Sequence, residues 1–142
     1  MRVKIHRYNI QTTWTGNRGE GTRDYKAYDR SHVITIEGKA DIQGSSDPAF
    51  RGDPGKHTPE ELFVSTISTC HMLWYLHLCA INGVVVSTYI DHAVGTMEEN
   101  SDGSGQFTNV TLHPRVTVAE DTMVESALIV LALQWNVYTG NN

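Results

Sequence analysis

Thr58-Pro59-Glu60-Glu61-Leu62-Phe63 opens the segment around which the rest of the chain is organised, and Asn82-Gly83 closes it. Thr58 suits the N-cap of a helix, Pro59 suits its first position, and Glu61 completes a Thr-x-x-Glu capping box. Residues 62–80 are mostly apolar all round, and an Asn-Gly pair is a common helix stop. The sequence therefore predicts a central, buried helix of roughly 22 residues, about 33 Å long.

The chain before this helix has the pattern of β-strands. Residues 3–14 mix Val, Ile, Tyr, Thr and Trp, and residues 32–37 are enriched in β-branched side chains. Three glycines within residues 16–21 indicate a turn, so a hairpin is expected there. Residues 43–56 collect Gly, Ser, Asp and Pro, which predicts a long loop of the length at which loops tend to be functional.

The chain after the helix returns to strands and then to a second helix. Residues 84–90 and 107–118 are predicted strands, and the turn residues at 101–105 predict a second hairpin. A last helix, with Asp121 or Thr122 as its cap, is predicted to run through residue 131. This order of elements predicts an α+β fold with helices packed on antiparallel sheets.

Length and composition predict one globular domain over residues 1–142, with a polar tail at 136–142. Apolar residues make up 39% of the chain and charged residues 19%, so disorder is not expected. The net charge is −5 and the 11 Lys and Arg residues are scattered, which argues against nucleic acid as a partner. No glycine-rich phosphate loop is present, and no cofactor is expected.

The N-terminal residues predict neither export nor insertion into a membrane. They lack the apolar core of a signal peptide, and no apolar run approaches the ~18 residues that cross a bilayer. We therefore expect a cytoplasmic protein with no membrane partner. The two cysteines should remain thiols in that reducing compartment.

Both cysteines, Cys70 and Cys79, fall within the predicted long helix. Nine residues correspond to ~13 Å of rise and to opposite faces, too far apart for a disulfide. Cys79 is therefore expected to be a packing residue, whereas Cys70 is either a small buried hydrophobe or a functional thiol. A metal site built from these cysteines with His71 and His77 fails on spacing, so no metal is expected.

The residues at the start of the helix resemble a known family. Thr58–Phe63, seven residues before Cys70-His71-Met72, is similar to the Asn-Pro-Glu-Glu-Leu … Cys signature of the OsmC/Ohr proteins, with Thr in place of Asn. The likeness covers residues 6–118, including the Trp14–Gly19 turn, the Gly44–Pro48 loop and the Asn82-Gly83-Val84 helix exit. The resemblance implies an intertwined homodimer in which β-sheets wrap two long central helices.

The resemblance also implies an active site at the subunit interface. Cys70 matches the peroxidatic cysteine, Glu60 matches a glutamate that orients an arginine, and Arg18 is the best match for that arginine. Arg30 and Arg51 remain rival candidates. Glu60 and Cys70 are ~15 Å apart along one continuous helix, so a shared site requires Glu60 and Arg18 from one subunit and Cys70 from the other.

The implied activity is reduction of organic hydroperoxides in oxidative or osmotic stress. Members of the family carry a second cysteine in the last helix that resolves the oxidised thiol, and residues 124–135 contain none. The resemblance therefore implies a one-cysteine enzyme that depends on an external thiol or dithiol reductant. The alternative is a non-catalytic stress protein that binds a small apolar ligand at the dimer interface.

Overall fold

The computed structural model describes residues 3–138, and the side chains only through residue 131. These residues form two compact units, one ending at Leu62 and one beginning at Phe63. Each unit is considered by itself below. The single domain expected over residues 1–142 stays a prediction.

The first unit contains a three-stranded antiparallel sheet. Its strands are β1 (Gln11–Trp14), β2 (His32–Thr35) and β3 (Ile42–Gly44), in the order β1-β2-β3. The strand predicted at 3–14 forms only from residue 11. The glycine-rich turn at 16–21 lies inside a longer connection between β1 and β2 rather than forming a tight hairpin of its own, because Asn17 pairs with Tyr28 part of the way along it.

The predicted loop at 43–56 is held by its own polar side chains. Ser45, which is 1% exposed, accepts a hydrogen bond from the Asp53 amide at 3.0 Å. Asp47 caps a short 3₁₀ turn at Pro48–Phe50 by accepting the Ala49 amide at 2.7 Å. The loop therefore enters the long helix with a defined conformation.

The long helix α1 spans Pro59–Ile81 and has 23 residues, which confirms the sequence prediction. Its capping box is formed in both directions: the Glu61 amide donates to Thr58 Oγ1 at 3.1 Å, and the Thr58 amide donates to Glu61 Oε2 at 3.0 Å. The helix stops at Gly83, which has a φ of 71°. This left-handed conformation strains other residues but suits glycine.

The second unit contains two antiparallel strand pairs and a second helix. The strands are β4 (Val86–Asp91), β5 (Val94–Glu99), β6 (Gly105–Thr111) and β7 (Pro114–Val118), with β4 paired to β7 and β5 to β6. The turn predicted at 101–105 is confirmed, but it joins β6 to β5, a strand that was not predicted, and not to the strand predicted at 84–90. A 3₁₀ turn at Asp121–Met123 leads into α2, which spans Val124–Tyr138.

Two boundaries in this unit differ from the predictions. The single strand predicted at 107–118 is wrong, because the chain breaks between β6 and β7. At the break the His113 amide donates to the Asp91 side chain at 2.6 Å, and Pro114 has no amide hydrogen for a ladder. The polar tail predicted from residue 136 is helical through residue 138, and its remainder lies outside the described residues.

The core of the second unit is small and leaves most of α1 uncovered. Its buried apolar residues are Tyr75, Cys79, Val84, Ala127 and Val130. In a single copy of the chain, the prediction of a buried α1 is therefore wrong. Among the side chains that the structure describes, the strands and α2 cover one face of the helix.

The composition of α1 also differs from one expectation. By length and average hydropathy, α1 could cross a membrane, whereas no such run was expected. The expectation was wrong because it counted only uninterrupted apolar residues. The average hydropathy of the helix stays high although Ser, Thr and His residues interrupt the apolar run. The core helix of a soluble protein meets the same criterion, so the absence of a membrane partner stays a prediction.

Candidate thiol site

The two cysteines of α1 have opposite environments. Cys70 is exposed and Cys79 is 1% exposed, and neither forms a disulfide. The packing role predicted for Cys79 is confirmed. Burial raises the pKa of the neighbouring Tyr75 hydroxyl, and a hydrogen bond with Cys79 adds to the rise.

Cys70 lies in an exposed stripe along α1, which we call the outer stripe. It consists of residues spaced alternately three and four positions apart: Phe63, Thr66, Cys70, Leu73 and His77. This spacing places their side chains on one side of a helix. Phe63 is 48% exposed and Leu73 is 63% exposed, so the stripe has an uncovered apolar side chain on either side of the thiol.

The opposite side of α1 is attached to β4 by two polar contacts that flank Cys70 in sequence. Ser68 donates a hydrogen bond to Asp91 Oδ2 across 2.5 Å. His71 Nδ1 lies 3.1 Å from the Tyr89 hydroxyl. Sequence reasoning singled out neither contact, because nothing in a strand pattern shows which helix residue a strand side chain will meet.

Asp91 is the centre of this arrangement. Its second oxygen, Oδ1, accepts the His113 amide at 2.6 Å, and His113 Nδ1 lies 2.9 Å from the His92 carbonyl oxygen. The carboxylate thus joins α1, the end of β4 and the entry into β7. Within the described residues it forms no ion pair with Lys or Arg.

Burial shifts the pKa values of the two aromatic side chains at this contact, His71 and Tyr89, toward their neutral forms. Burial lowers the pKa of His71, and the charge of Asp91 partly opposes that shift. Burial also raises the pKa of Tyr89 to about 12, with Asp91 adding to the rise. The Tyr89 phenol therefore keeps its proton, and its hydroxyl shares a hydrogen bond with His71 Nδ1.

Glu60 lies at the second position of α1. Its Oε2 atom is shielded from solvent and has no hydrogen-bond partner among the described residues. The adjacent Glu61 is different, since its carboxylate is used by the capping box. A buried carboxylate oxygen without a donor is unfavourable unless a donor is supplied from elsewhere.

Arg18 and Arg30 both lie in or next to the connection between β1 and β2. Arg18 Nε donates to the Ala27 carbonyl oxygen at 3.2 Å, and a terminal nitrogen donates to the Lys26 carbonyl oxygen. The Arg18 side chain is nevertheless half exposed, and its nearest carboxylate oxygen, on Asp29, is 3.9 Å away. Within the described residues, no hydrogen bond or ion pair joins Arg18 to Glu60.

Arg30 is held far more tightly. Its guanidinium carbon lies 4.3 Å from the ring centre of Tyr25 and 4.1 Å from that of Tyr28. The same guanidinium donates to the carbonyl oxygens of both tyrosines, at 2.8 and 2.7 Å. Arg30 therefore has a structural role in this connection. The third candidate, Arg51, lies directly after the 3₁₀ turn and has a φ of 65°, in the left-handed region.

The chemistry of the described side chains centres on a thiol. No group of three or more His, Cys, Asp or Glu residues within that part of the chain converges on a site for a metal ion. The structure exposes Cys70 on α1 and leaves Glu60 about 15 Å away along the same helix. One continuous helix does not bring these two predicted site residues together.

Known proteins share this arrangement of elements. A family model described as OsmC-like protein matches residues 52–135. An OsmC-like protein of unknown function from Vibrio cholerae matches with a TM-score of 0.79 and 28% identity, over 94% of this chain and 90% of that one. No curated protein matches the chain.

Two organic hydroperoxide resistance proteins share the fold at lower identity. The protein from Elizabethkingia anophelis has a TM-score of 0.61 and 14% identity, over 97% of this chain and 91% of its own. The protein from Legionella pneumophila has a TM-score of 0.65 and 13% identity, over 98% and 93%. The fold is thus the α+β class in which a long helix accompanies antiparallel sheets. Because the family model covers more than half of the chain, the chain belongs to the OsmC-like protein family.

Proposed function

We propose that this chain is a cysteine-based peroxidase that reduces organic hydroperoxides through Cys70. The observation that carries the proposal is the exposure of Cys70 in the middle of the outer stripe, on the same helix that buries Cys79. A thiol that only filled space would be expected on the packed side, as Cys79 is. The apolar neighbours Phe63 and Leu73 favour an alkyl or aryl hydroperoxide over hydrogen peroxide.

The working form in this proposal is a homodimer. Phe63 and Leu73 expose apolar side chains on the outer stripe, and a second copy of α1 offers a surface that would cover them. The same assembly would let Glu60 and Arg18 of one copy approach Cys70 of the other. The buried Oε2 of Glu60 supports this arrangement, because that oxygen needs a donor that none of the residues described by the structure supplies.

The proposed reaction needs no metal or organic cofactor. The Cys70 thiolate attacks the distal oxygen of the hydroperoxide, the O–O bond breaks, and the alkoxide leaves as an alcohol after taking up a proton. Arg18 would stabilise the thiolate and the peroxide oxygens, and Glu60 would hold the guanidinium in place. The sulfenic acid is then reduced by an external dithiol, which becomes a disulfide and releases water.

Family membership supports a role in the stress response. The hydroperoxide resistance proteins that share the fold favour peroxide as the stress. We place the protein in the cytoplasm, where a reducing environment supplies thiols.

A second candidate is a non-catalytic protein that binds a small apolar ligand at the dimer interface. The observation that favours it is the sequence of the last helix, since residues 124–135 provide no resolving cysteine. Here Cys70 would be one wall of a ligand pocket. Replacement of its sulfur by oxygen would then leave affinity largely unchanged.

Steady-state consumption of cumene hydroperoxide with a dithiol reductant separates the two candidates. We expect turnover by the unaltered protein and by the Cys79→Ser variant, which keeps Cys70. We expect no turnover by Cys70→Ser. Cys79→Ser is the matched control because it removes a thiol from the same helix. Turnover that survives in Cys70→Ser, or that equals the reaction of free dithiol in every sample, would overturn the peroxidase.

A further inference from the structure

We propose that Asp91 is a positioning residue for Cys70. Its carboxylate, acting through Ser68, fixes the rotation of α1 so that the thiol faces the substrate. The inference rests on the proposed function, and it assigns a role to residues outside the predicted set of Cys70, Glu60 and Arg18.

The first step of the argument is the place of the contacts on the helix. Ser68 precedes Cys70 by two residues and His71 follows it by one. At about 100° per residue, Ser68 points to the side of α1 that lies nearly opposite Cys70. Bonds at Ser68 and His71 therefore set the direction in which the Cys70 side chain leaves the helix.

The second step is the unusual choice of partner by Ser68. Hydroxyl residues inside helices commonly donate to a carbonyl oxygen one turn back, and the neighbouring Thr69 does so, at 2.8 Å from the Ser65 carbonyl oxygen. Ser68 instead reaches a carboxylate 23 residues away in sequence, across 2.5 Å. A hydrogen bond to a charged acceptor is among the stronger kinds.

The third step is the rigidity of the acceptor. Asp91 is the last residue of β4 and lies opposite Pro114 in the ladder with β7. Its other oxygen is fixed by the His113 amide at the break between β6 and β7. The carboxylate is thus held by the strands on one side and holds α1 on the other, so a change at Asp91 is transmitted to the segment around Cys70.

The geometry also provides a conservative substitution. In Asp91→Asn, the amide oxygen can still accept the His113 amide, and the amide nitrogen can donate to Ser68 Oγ. The contact is kept while the charge is lost. Asp91→Ala removes both hydrogen bonds, and Ser68→Ala removes only the one to α1.

The experiment compares two reactions of Cys70 in the parental chain and in each variant. One is the second-order reaction with cumene hydroperoxide, which requires the thiol to be oriented toward its partners. The other is alkylation by iodoacetamide, which requires only an accessible thiolate. Circular dichroism confirms that each variant is folded. Thr69→Ala is the matched control because the Thr69 hydroxyl donates to carbonyl oxygens of its own helix.

We expect Ser68→Ala and Asp91→Ala to lower the peroxide rate constant about tenfold or more, since small misplacements of a reacting group have effects of this size. Alkylation should stay within about twofold, and Asp91→Asn and Thr69→Ala should retain most of the peroxide rate. If Asp91→Ala does not fold, the comparison of Ser68→Ala with Thr69→Ala decides the matter.

Peroxide rates in Ser68→Ala equal to the unaltered protein would overturn the role of Asp91, as would an equal loss in both reactions. A parental protein that reacts with iodoacetamide but not with the peroxide would instead overturn the proposed function, and this role with it. The two failures are therefore distinguishable.

Discussion

Cys70 and Cys79 lie nine residues apart on opposite faces of α1, one exposed and the other buried against Tyr75 and α2. The two sulfur atoms cannot meet within one chain while the helix persists. Any disulfide formed by the folded protein must therefore involve a second molecule. This relationship separates the chain from an enzyme that resolves its own oxidised thiol.

The first prediction follows from that separation. Iodoacetamide should label Cys70 in the folded protein and label Cys79 only after unfolding, because the buried thiol is shielded from the reagent. Peptide mass analysis of the native and denatured protein measures both. Labelling of Cys79 at the native rate of Cys70, or an intramolecular disulfide after peroxide treatment, would contradict the account.

The second prediction concerns assembly through the outer stripe. Leu73→Asp places a charge in the apolar surface that a second copy of the chain is proposed to cover, so the dimer should dissociate. Sedimentation equilibrium measures the mass in solution. Val94→Asp is the control, because Val94 is 54% exposed on β5 and lies outside the stripe. A monomeric parental protein would contradict the dimer.

A third prediction tests the start of α1. Thr58→Ala removes the acceptor of the Glu61 amide and should lower the free energy of unfolding by about 1 kcal/mol. Thr58→Ser keeps a hydroxyl oxygen and should lose much less. Chemical denaturation at one fixed protein concentration measures the difference. Equal stability of Thr58→Ala and the parental chain would show that the cap contributes nothing.

The fourth prediction uses the lowered pKa of His71. In the unfolded chain this histidine titrates near its ordinary value, so between the folded and unfolded pKa values the unfolded state binds more protons. Stability should therefore be full above about pH 6.5 and should fall as the pH decreases through the folded pKa. His71→Gln should weaken this fall.

Urea unfolding at a series of pH values checks that prediction. Above about pH 7.5, where His71 is neutral in both states, the curves of the parental protein and His71→Gln should run parallel. Identical slopes below pH 6.5 would contradict the proposed environment of His71. Asp91→Asn provides a further check, because loss of that charge should lower the pKa of His71 again and steepen the fall.

The long helix could be predicted because its signals are local. Thr58, Glu61 and Gly83 are each within a few residues of the boundary they mark, and the structure confirms all three. The signature around Cys70 likewise gave the family. In both cases the chemistry that determines the structure is contained in one short stretch of chain.

The parts that could not be predicted depend on contacts between distant residues. The break at His113 arises from Asp91, 22 residues earlier, and Ser68 meets that same side chain from α1. The exposure of the outer stripe depends on which elements pack on the helix. The apolar composition of the helix does not contain that information, and it led to the wrong prediction of burial. The roles of Glu60 and Arg18 remain predictions, since the residues that would complete their site are proposed to belong to a second copy.

The most direct test of the central claim is the single-turnover reaction of the reduced protein with cumene hydroperoxide. Stopped-flow measurement gives the rate, and intact mass with peptide mapping locates the added oxygen. The account predicts rapid addition of one oxygen at Cys70, reversed by a dithiol, with no change at Cys79. A reaction no faster than that of a free thiol, or oxidation elsewhere in the chain, would contradict it.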